Sequence, residues 1–278
     1  MIGLIYNELL KIRGRWRSYI GFIGIGILMP LILWGFHWGG GEIHDEYVRE
    51  FEGAFLVVGS VFNAFLTTYI VMNAFWIHMP FLVSMAAGDA VASEGANGTF
   101  RIILTRSVSR TKILFSKLLA TYIYTAILIL FLAFLSLGIG SIWLGTGDLI
   151  VIDNGILILD ESEAWQRMIL SFSLAIFVMC VVATLCFMFS TMVNNGIGPI
   201  IGTLFLIVIG YIIRTIPLEI FEKIEPWIFV TYFDVWLYAF YEPIRWSDIF
   251  VSLLILGIYT GLFISISWMI FLKKDIKT

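Results

Sequence analysis

MILSFSLAIFVMCVVATLCFMFSTMVNNGIGPIIGTLFLIVIGYII, residues Met168 to Ile213, is a run of 46 residues without one Asp, Glu, Lys or Arg. A helix rising about 1.5 Å per residue crosses a hydrocarbon core of about 30 Å in roughly 20 residues, so the run is long enough for two spans. Met192-Val193-Asn194-Asn195-Gly196 in its middle supplies the residues of a tight turn between them. The rest of the chain agrees: 278 residues are 60% hydrophobic and only 13% charged, with a mean hydropathy of +0.97. Soluble domains hold about 45–50% apolar residues. The apolar runs also lack the alternation of a membrane barrel. The fold class is therefore an all-α integral membrane protein, and it reads as a single domain over residues 1–278 with no internal repeat.

Six transmembrane helices are expected, at Ser18–Trp38, Ala54–Ala87, Ile113–Trp143, Met168–Ser190, Gly196–Ile213 and Ile249–Leu272. Ala54–Ala87 exceeds the length of one upright span. It must tilt, protrude, or bend near Pro80, which lacks a backbone donor and clashes with the preceding turn.

Orientation follows the basic residues, which are retained on the cytoplasmic side. Placing both termini inside puts Lys11, Arg13, Arg15, Arg17, Arg101, Arg106, Arg110, Lys112, Lys117, Lys273, Lys274 and Lys277 there, which is 12 of the 17 Lys and Arg residues, while 16 of 20 acidic residues fall outside. The net charge of −3 averages over two different faces and gives no reason to invoke a nucleic-acid partner. Residues 1–17 precede a full-length span and carry no cleavage signal. In them Ile2, Ile5, Leu9, Ile12 and Trp16 recur at steps of three and four, with Asn7, Glu8, Lys11 and Arg15 largely on other faces. That pattern reads as an N-terminal interfacial amphipathic helix, the plainer alternative being a basic topogenic flank.

Two segments are expected outside, residues 143–167 and 214–248. In the first, the β-favouring runs 149–152 and 156–159 flank Asn154-Gly155, a pair suited to a hairpin turn, with an irregular surface loop as the alternative. In the second, Pro217, Pro226 and Pro243 divide a stretch crowded with Trp227, Phe229, Tyr232, Phe233, Trp236, Tyr238, Phe240, Tyr241 and Trp246. Aromatics at this density mark the headgroup level, and the same rings would also serve to line an outer mouth.

Catalytic patterns are missing. No Gly-Lys pair exists for a phosphate-binding loop, and no Gly-x-Ser-x-Gly is found. His37, His44 and His78 lack metal-ligand spacing, so no metal site is expected. Cys180 and Cys186, six residues apart, point about 240° from each other on a helix and read as packing residues. Asn63, Asn73 and His78 fall in the second span and must face protein or water; they are candidates either for interhelix hydrogen bonds or for lining a pathway. Gly196-Ile197-Gly198-Pro199-Ile200-Ile201-Gly202 opens the fifth span with small residues that permit close packing, within the chain or at a dimer seam.

The polar interruption Gly88-Asp89-Ala90-Val91-Ala92-Ser93-Glu94-Gly95-Ala96-Asn97-Gly98-Thr99, followed by Arg101, Arg106, Arg110, Lys112 and Lys117, is the expected cytoplasmic loop, residues 88–112. Its Asp-x4-Glu-x3-Gly-Thr spacing, the later Leu104-Thr105-Arg106-Ser107-Val108-Ser109-Arg110, and Glu8-Leu9-Leu10-Lys11 near the start resemble type-2 ATP-binding-cassette (ABC) exporter permeases. The resemblance covers the topology of nearly the whole chain and the motifs of residues 1–17 and 88–120; Ser107 stands where that family often has Pro. It implies a permease subunit of the cell membrane that works as a dimer, with itself or a homologous chain. Two separate ABC ATPase subunits would bind ATP and Mg, and this chain would bind no cofactor and not be an enzyme. It further implies an ATPase-coupling loop in which Asp89, Glu94, Gly95, Gly98, Thr99, Arg106 and Arg110 act, with Asp89 and Glu94 pairing with basic groups of the partner. A solvated topogenic loop is the plainer reading of the same residues. The competing class is a membrane scaffold or assembly factor that moves nothing; an ion-coupled transporter is disfavoured, because no span core carries a carboxylate.

Overall fold

A computed structural model describes residues 1–51, 62–96, 108–152 and 156–273. Helix α1 (Ile2–Arg13) leads through a short bend into α2 (Arg17–Phe51). Next come α3 (Ala64–Trp76), α4 (Met79–Ala96) and α5 (Arg110–Ala133), which passes through a π-helical turn at Phe134–Ile139 into α6 (Gly140–Leu144). After strands β1 (Leu149–Ile152) and β2 (Ile156–Leu159) follow α7 (Glu161–Met192), α8 (Ile197–Thr215), α9 (Glu219–Ile224), a 3-10 helix at Phe229–Phe240 and α10 (Trp246–Lys273).

Met168–Ile213 is the helical hairpin its composition requires: α7 and α8 are joined by residues 193–196. The two arms have different surroundings. α7 lies at the centre, touching α4, α5, α8, α10 and the 3-10 helix, and so is apolar on every side; Cys186 is buried in it and Cys180 half-buried. α8 buries Ile200, Thr203, Ile207 and Gly210 and turns Ile197, Ile201, Phe205, Val208 and Ile212 outward.

The second span breaks where Pro80 demands. α3 and α4 meet at 57° across Ile77 and His78, and Pro80 sits in the first turn of α4, where a missing N–H costs no helical bond. Among the described residues five helices are long and apolar enough to cross a membrane, six if this bent pair is one span. The structure begins the helical part of that pair at Ala64, with Asn63 as its cap. β1 and β2 form the hairpin, with Leu149 opposite Leu159 and Ile152 opposite Ile156. Leu149, Val151 and Leu159 are buried while Ile158 is exposed, so one pleat face packs on the bundle.

The aromatic stretch is not simply a surface belt. Val230, Phe233, Trp236 and Ala239, three residues apart, are buried together on one side of the 3-10 helix, whereas Trp227 and Trp246 are exposed.

Candidate functional site

At one end of the bundle four charges from three helices close into a ring. Glu8 and Lys11 sit one turn apart on α1, Glu94 on the last turns of α4, and Lys117 on the second turn of α5. Lys117 Nζ is 2.6 Å from Glu94 Oε1 and 2.8 Å from Glu8 Oε2; Lys11 Nζ is 2.7 Å from Glu94 Oε1 and 2.7 Å from Glu8 Oε1. Each carboxylate thus meets both ammonium groups. The Lys117 side chain is 0% exposed and that of Glu94 6%, so the pairing takes place away from water, where an unmatched charge would be far more costly. Lys11 lies outside the spans: burial opposes its charge, but hydrogen bonds to Glu8 and Glu94 outweigh that and hold it above the usual lysine range. Its bridge therefore persists below that range and is lost only as pH rises through the raised value.

The ring decides which way α1 faces. Ile5, Glu8, Leu9 and Ile12 turn toward the bundle, while Ile2, Tyr6, Leu10 and Trp16, part of the apolar stripe among them, point outward. Two arginines at the α1–α2 bend then fix α4 a turn and a half earlier. Arg17 Nη1 donates to Asp89 Oδ1 at 3.1 Å, and Arg15 Nη1 donates to the Asp89 carbonyl at 2.7 Å. Ser190, at the end of α7, donates to the Gly88 carbonyl at 2.7 Å and accepts from the N–H groups of Val91 and Ala92.

Asp89 and Glu94 were expected in a loop, free to meet a partner's cations. They stand instead in α4, which runs on to Ala96, and they pair with Arg17, Lys11 and Lys117 of the same chain. Past Gly88 the helix is supported by Ser190 and Arg15, which bond its backbone groups, and by Arg17, which meets the Asp89 carboxylate that a solvated loop would have left to water. Gly95, expected in the same loop, is helical too. Gly98, Thr99 and Arg106 lie outside the described residues. Arg110, in the first turn of α5, donates to the Leu272 carbonyl at 3.1 Å and so ties the last helix to the same end.

Of the glycines that open the fifth span, Gly196 is required within the chain. A Cβ on Gly196 would collide with the Asp89 carboxylate, and one on Gly88 would lie 2.9 Å from Ile200 Cγ1 and 3.0 Å from the Gly196 carbonyl. Gly196→Ala should therefore displace Asp89 from Arg17 and cost about 1–3 kcal/mol, the usual penalty of overpacking. Gly257→Ala, where a Cβ meets nothing, should be neutral or slightly stabilising. Thermal unfolding of both variants in lipid nanodiscs measures the contrast.

The polar residues of the second span do not converge. Asn63 caps α3, accepting from Phe65 N and Leu66 N at 3.0 Å, and its Nδ2 donates to the Asp148 carbonyl at 2.6 Å, clamping the strand hairpin to the helix. Asn73 donates to Tyr69 O on its own helix, and His78 lies exposed at the bend with its ring nitrogen against Ala74 O. No hydrogen bond joins the three: Asn63 and His78 serve backbone groups at a helix end and a break, and Asn73 bonds back onto its own helix. Asn63→Ala should cost about 1 kcal/mol through the cap, read as a lower unfolding midpoint with Asn73→Ala nearly unchanged.

Sequence reasoning passed over Arg15, Arg17, Lys117 and Ser190 as site residues. Lys117 carried a signal: it is a lysine with Leu114 and Leu118 beside it, inside an otherwise apolar helix.

Among the described residues, five or six apolar spans, α7 at their centre, with a charged clasp at one end, define a multi-pass α-helical membrane protein. Residues 22–277 match the family described as protein of unknown function (DUF2705), and the chain belongs to that family. It is also similar to the uncharacterized protein YhcI of Bacillus subtilis (strain 168), at 27% identity over 317 aligned residues covering 99% of each chain.

Proposed function

We propose that this chain is the membrane-spanning permease subunit of an ATP-driven exporter of the type-2 ABC kind. It works in the cytoplasmic membrane as one of a pair of such chains, with ATP bound and hydrolysed by two separate ATPase subunits. The observation that carries this reading is the clasp itself. The two stretches with the family's motifs, residues 1–17 and 88–120, are far apart in sequence, yet Glu8, Lys11, Glu94 and Lys117 join them at one end of the bundle. A push delivered to the segment after α4 would reach α1, α2, α5 and, through Ser190, α7 by direct contacts. On this reading Asp89 and Glu94 stiffen the coupling element, and residues 97–107 meet the partner.

Carboxylates turned inward also suit a membrane scaffold with α1 as a fixed anchor, and one experiment separates the two. The tagged chain is purified from its native host in mild detergent, and ATPase turnover of the recovered complex is measured in nanodiscs. A co-purifying ATPase whose turnover depends on this chain, and which Glu94→Gln uncouples from efflux while Glu42→Gln does not, is the expected result. Recovery of the chain without any ATPase would overturn the proposal.

A further inference from the structure

The segment Phe229–Phe240 holds twelve residues of continuous 3-10 helix, whereas such runs rarely exceed three or four residues because their hydrogen bonds are poorly aligned. Its burial follows a period of three: Val230, Phe233, Trp236 and Ala239 are each at most 1% exposed. The same twelve residues carry a second stripe, Phe229, Phe233, Trp236 and Phe240, at the spacing i, i+4, i+7, i+11 of an α-helix. Either winding presents a continuous apolar face to α7.

Polar contacts select the longer form. At the start, Thr231 Oγ1 donates to Glu225 O and Tyr232 OH to Pro226 O, both at 2.9 Å, and Tyr259 OH donates to Trp227 O. At the far end Arg167 Nη1 donates to Ala239 O at 3.1 Å and to Tyr241 O at 2.9 Å. In the middle Asp234 pairs with Arg214 of α8, beside the place where Gly210 leaves room for Val230. Twelve residues span about 24 Å as a 3-10 helix and about 18 Å as an α-helix, so both ends cannot stay pinned if the winding changes.

We propose that Phe229–Phe240 is a two-register element, held in the extended 3-10 form by its end contacts together with the Arg214–Asp234 pair, and shortening by about 6 Å into an α-helix when that pair opens and one end lets go. The proposal concerns the chain alone and is independent of the transport reading.

The test is a spin-label distance between positions 227 and 238, with Trp227 and Tyr238 replaced by labelled cysteines and Cys180 and Cys186 by Ala, in lipid nanodiscs. Over these eleven residues the two windings differ by about 5 Å. The parent should show one dominant distance. Asp234→Asn should add a population about 5 Å shorter, and so should Val230→Ala, which weakens only the period-three face. Phe229→Ala added to Asp234→Asn should remove the short population, since Phe229 belongs to the α stripe, and the exchange Arg214→Asp with Asp234→Arg should restore the parent distance. Unchanged distances in Asp234→Asn and Val230→Ala would overturn the proposal, as would a shift that Phe229→Ala leaves in place. If Asp234→Asn does not fold, Val230→Ala decides alone.

Discussion

Lys117→Met should be the most damaging single substitution in the described bundle. The side chain it removes is fully buried and faces two carboxylates, those of Glu8 and Glu94. Methionine fits the volume, so packing is nearly kept; what is lost is the charge that matches two buried anions, leaving Lys11 alone opposite both. Removing one partner from a buried ion pair costs about 3–5 kcal/mol, chiefly because the remaining charge is stranded. In a chain of this size that corresponds to a fall of roughly 6–20 °C in the unfolding midpoint. The local consequence is loosening of α1, whose other holds on the bundle are the Lys11–Glu94 bridge and the packing of Ile5, Leu9 and Ile12. Hydrogen exchange in residues 2–13 should rise well before global unfolding. Glu94→Gln added to Lys117→Met should recover part of the loss, because the most buried carboxylate is then neutral. If the single variant melts with the parent and α1 stays protected, the ring is not what holds this end together.

Much of this architecture was legible from composition alone, because a membrane span is a statement about length and the absence of charge. The uncharged run at Met168–Ile213, the bend before Pro80 and the β-favouring runs around Asn154-Gly155 are local chemistry, and local chemistry can be read from neighbours in sequence. The clasp was legible only in its parts. Glu8, Lys11 and Glu94 lie in the motif stretches and Lys117 at the end of the basic run, but the sequence offers no distance between positions 8 and 94, and a carboxylate near a glycine pair reads as readily as loop as it does as helix. What made it helix is Ser190, about a hundred residues further on, completing the hydrogen bonds of Gly88, Val91 and Ala92. Asn63 was misread for the opposite reason. Apolar residues continue on both sides of it, so nothing in the pattern marks the place where a helix starts, although Asn is among the best capping residues.

Arg167→Met should produce the second-largest loss, at the opposite end of the bundle. Its guanidinium is 5% exposed as a residue and spends its donors fully: Nε and Nη2 on Glu163, Nη2 on Glu242, and Nη1 on the carbonyls of Ala239 and Tyr241. Glu163 and Glu242 are 41% and 55% exposed and can return to water when the cation is gone, so they add little to the penalty. The two carbonyls close the end of the 3-10 helix, and losing a charged donor to partly buried groups costs about 1–3 kcal/mol for each. Two carbonyls sum to about 2–6 kcal/mol, and because Tyr241 is only half-buried and its carbonyl can regain water, the expected total lies in the lower half of that range, somewhat below that of Lys117→Met. Arg167→Lys should recover only part of it, since a single ammonium cannot reproduce a planar fork that reaches two carbonyls and two carboxylates at once. Hydrogen exchange should increase at residues 229–241 in Arg167→Met and leave residues 2–13 as in the parent, the reverse of the Lys117→Met pattern. Equal exchange at both ends in both variants would mean that the two charged clusters report one global transition rather than two separate clamps at opposite ends of the bundle.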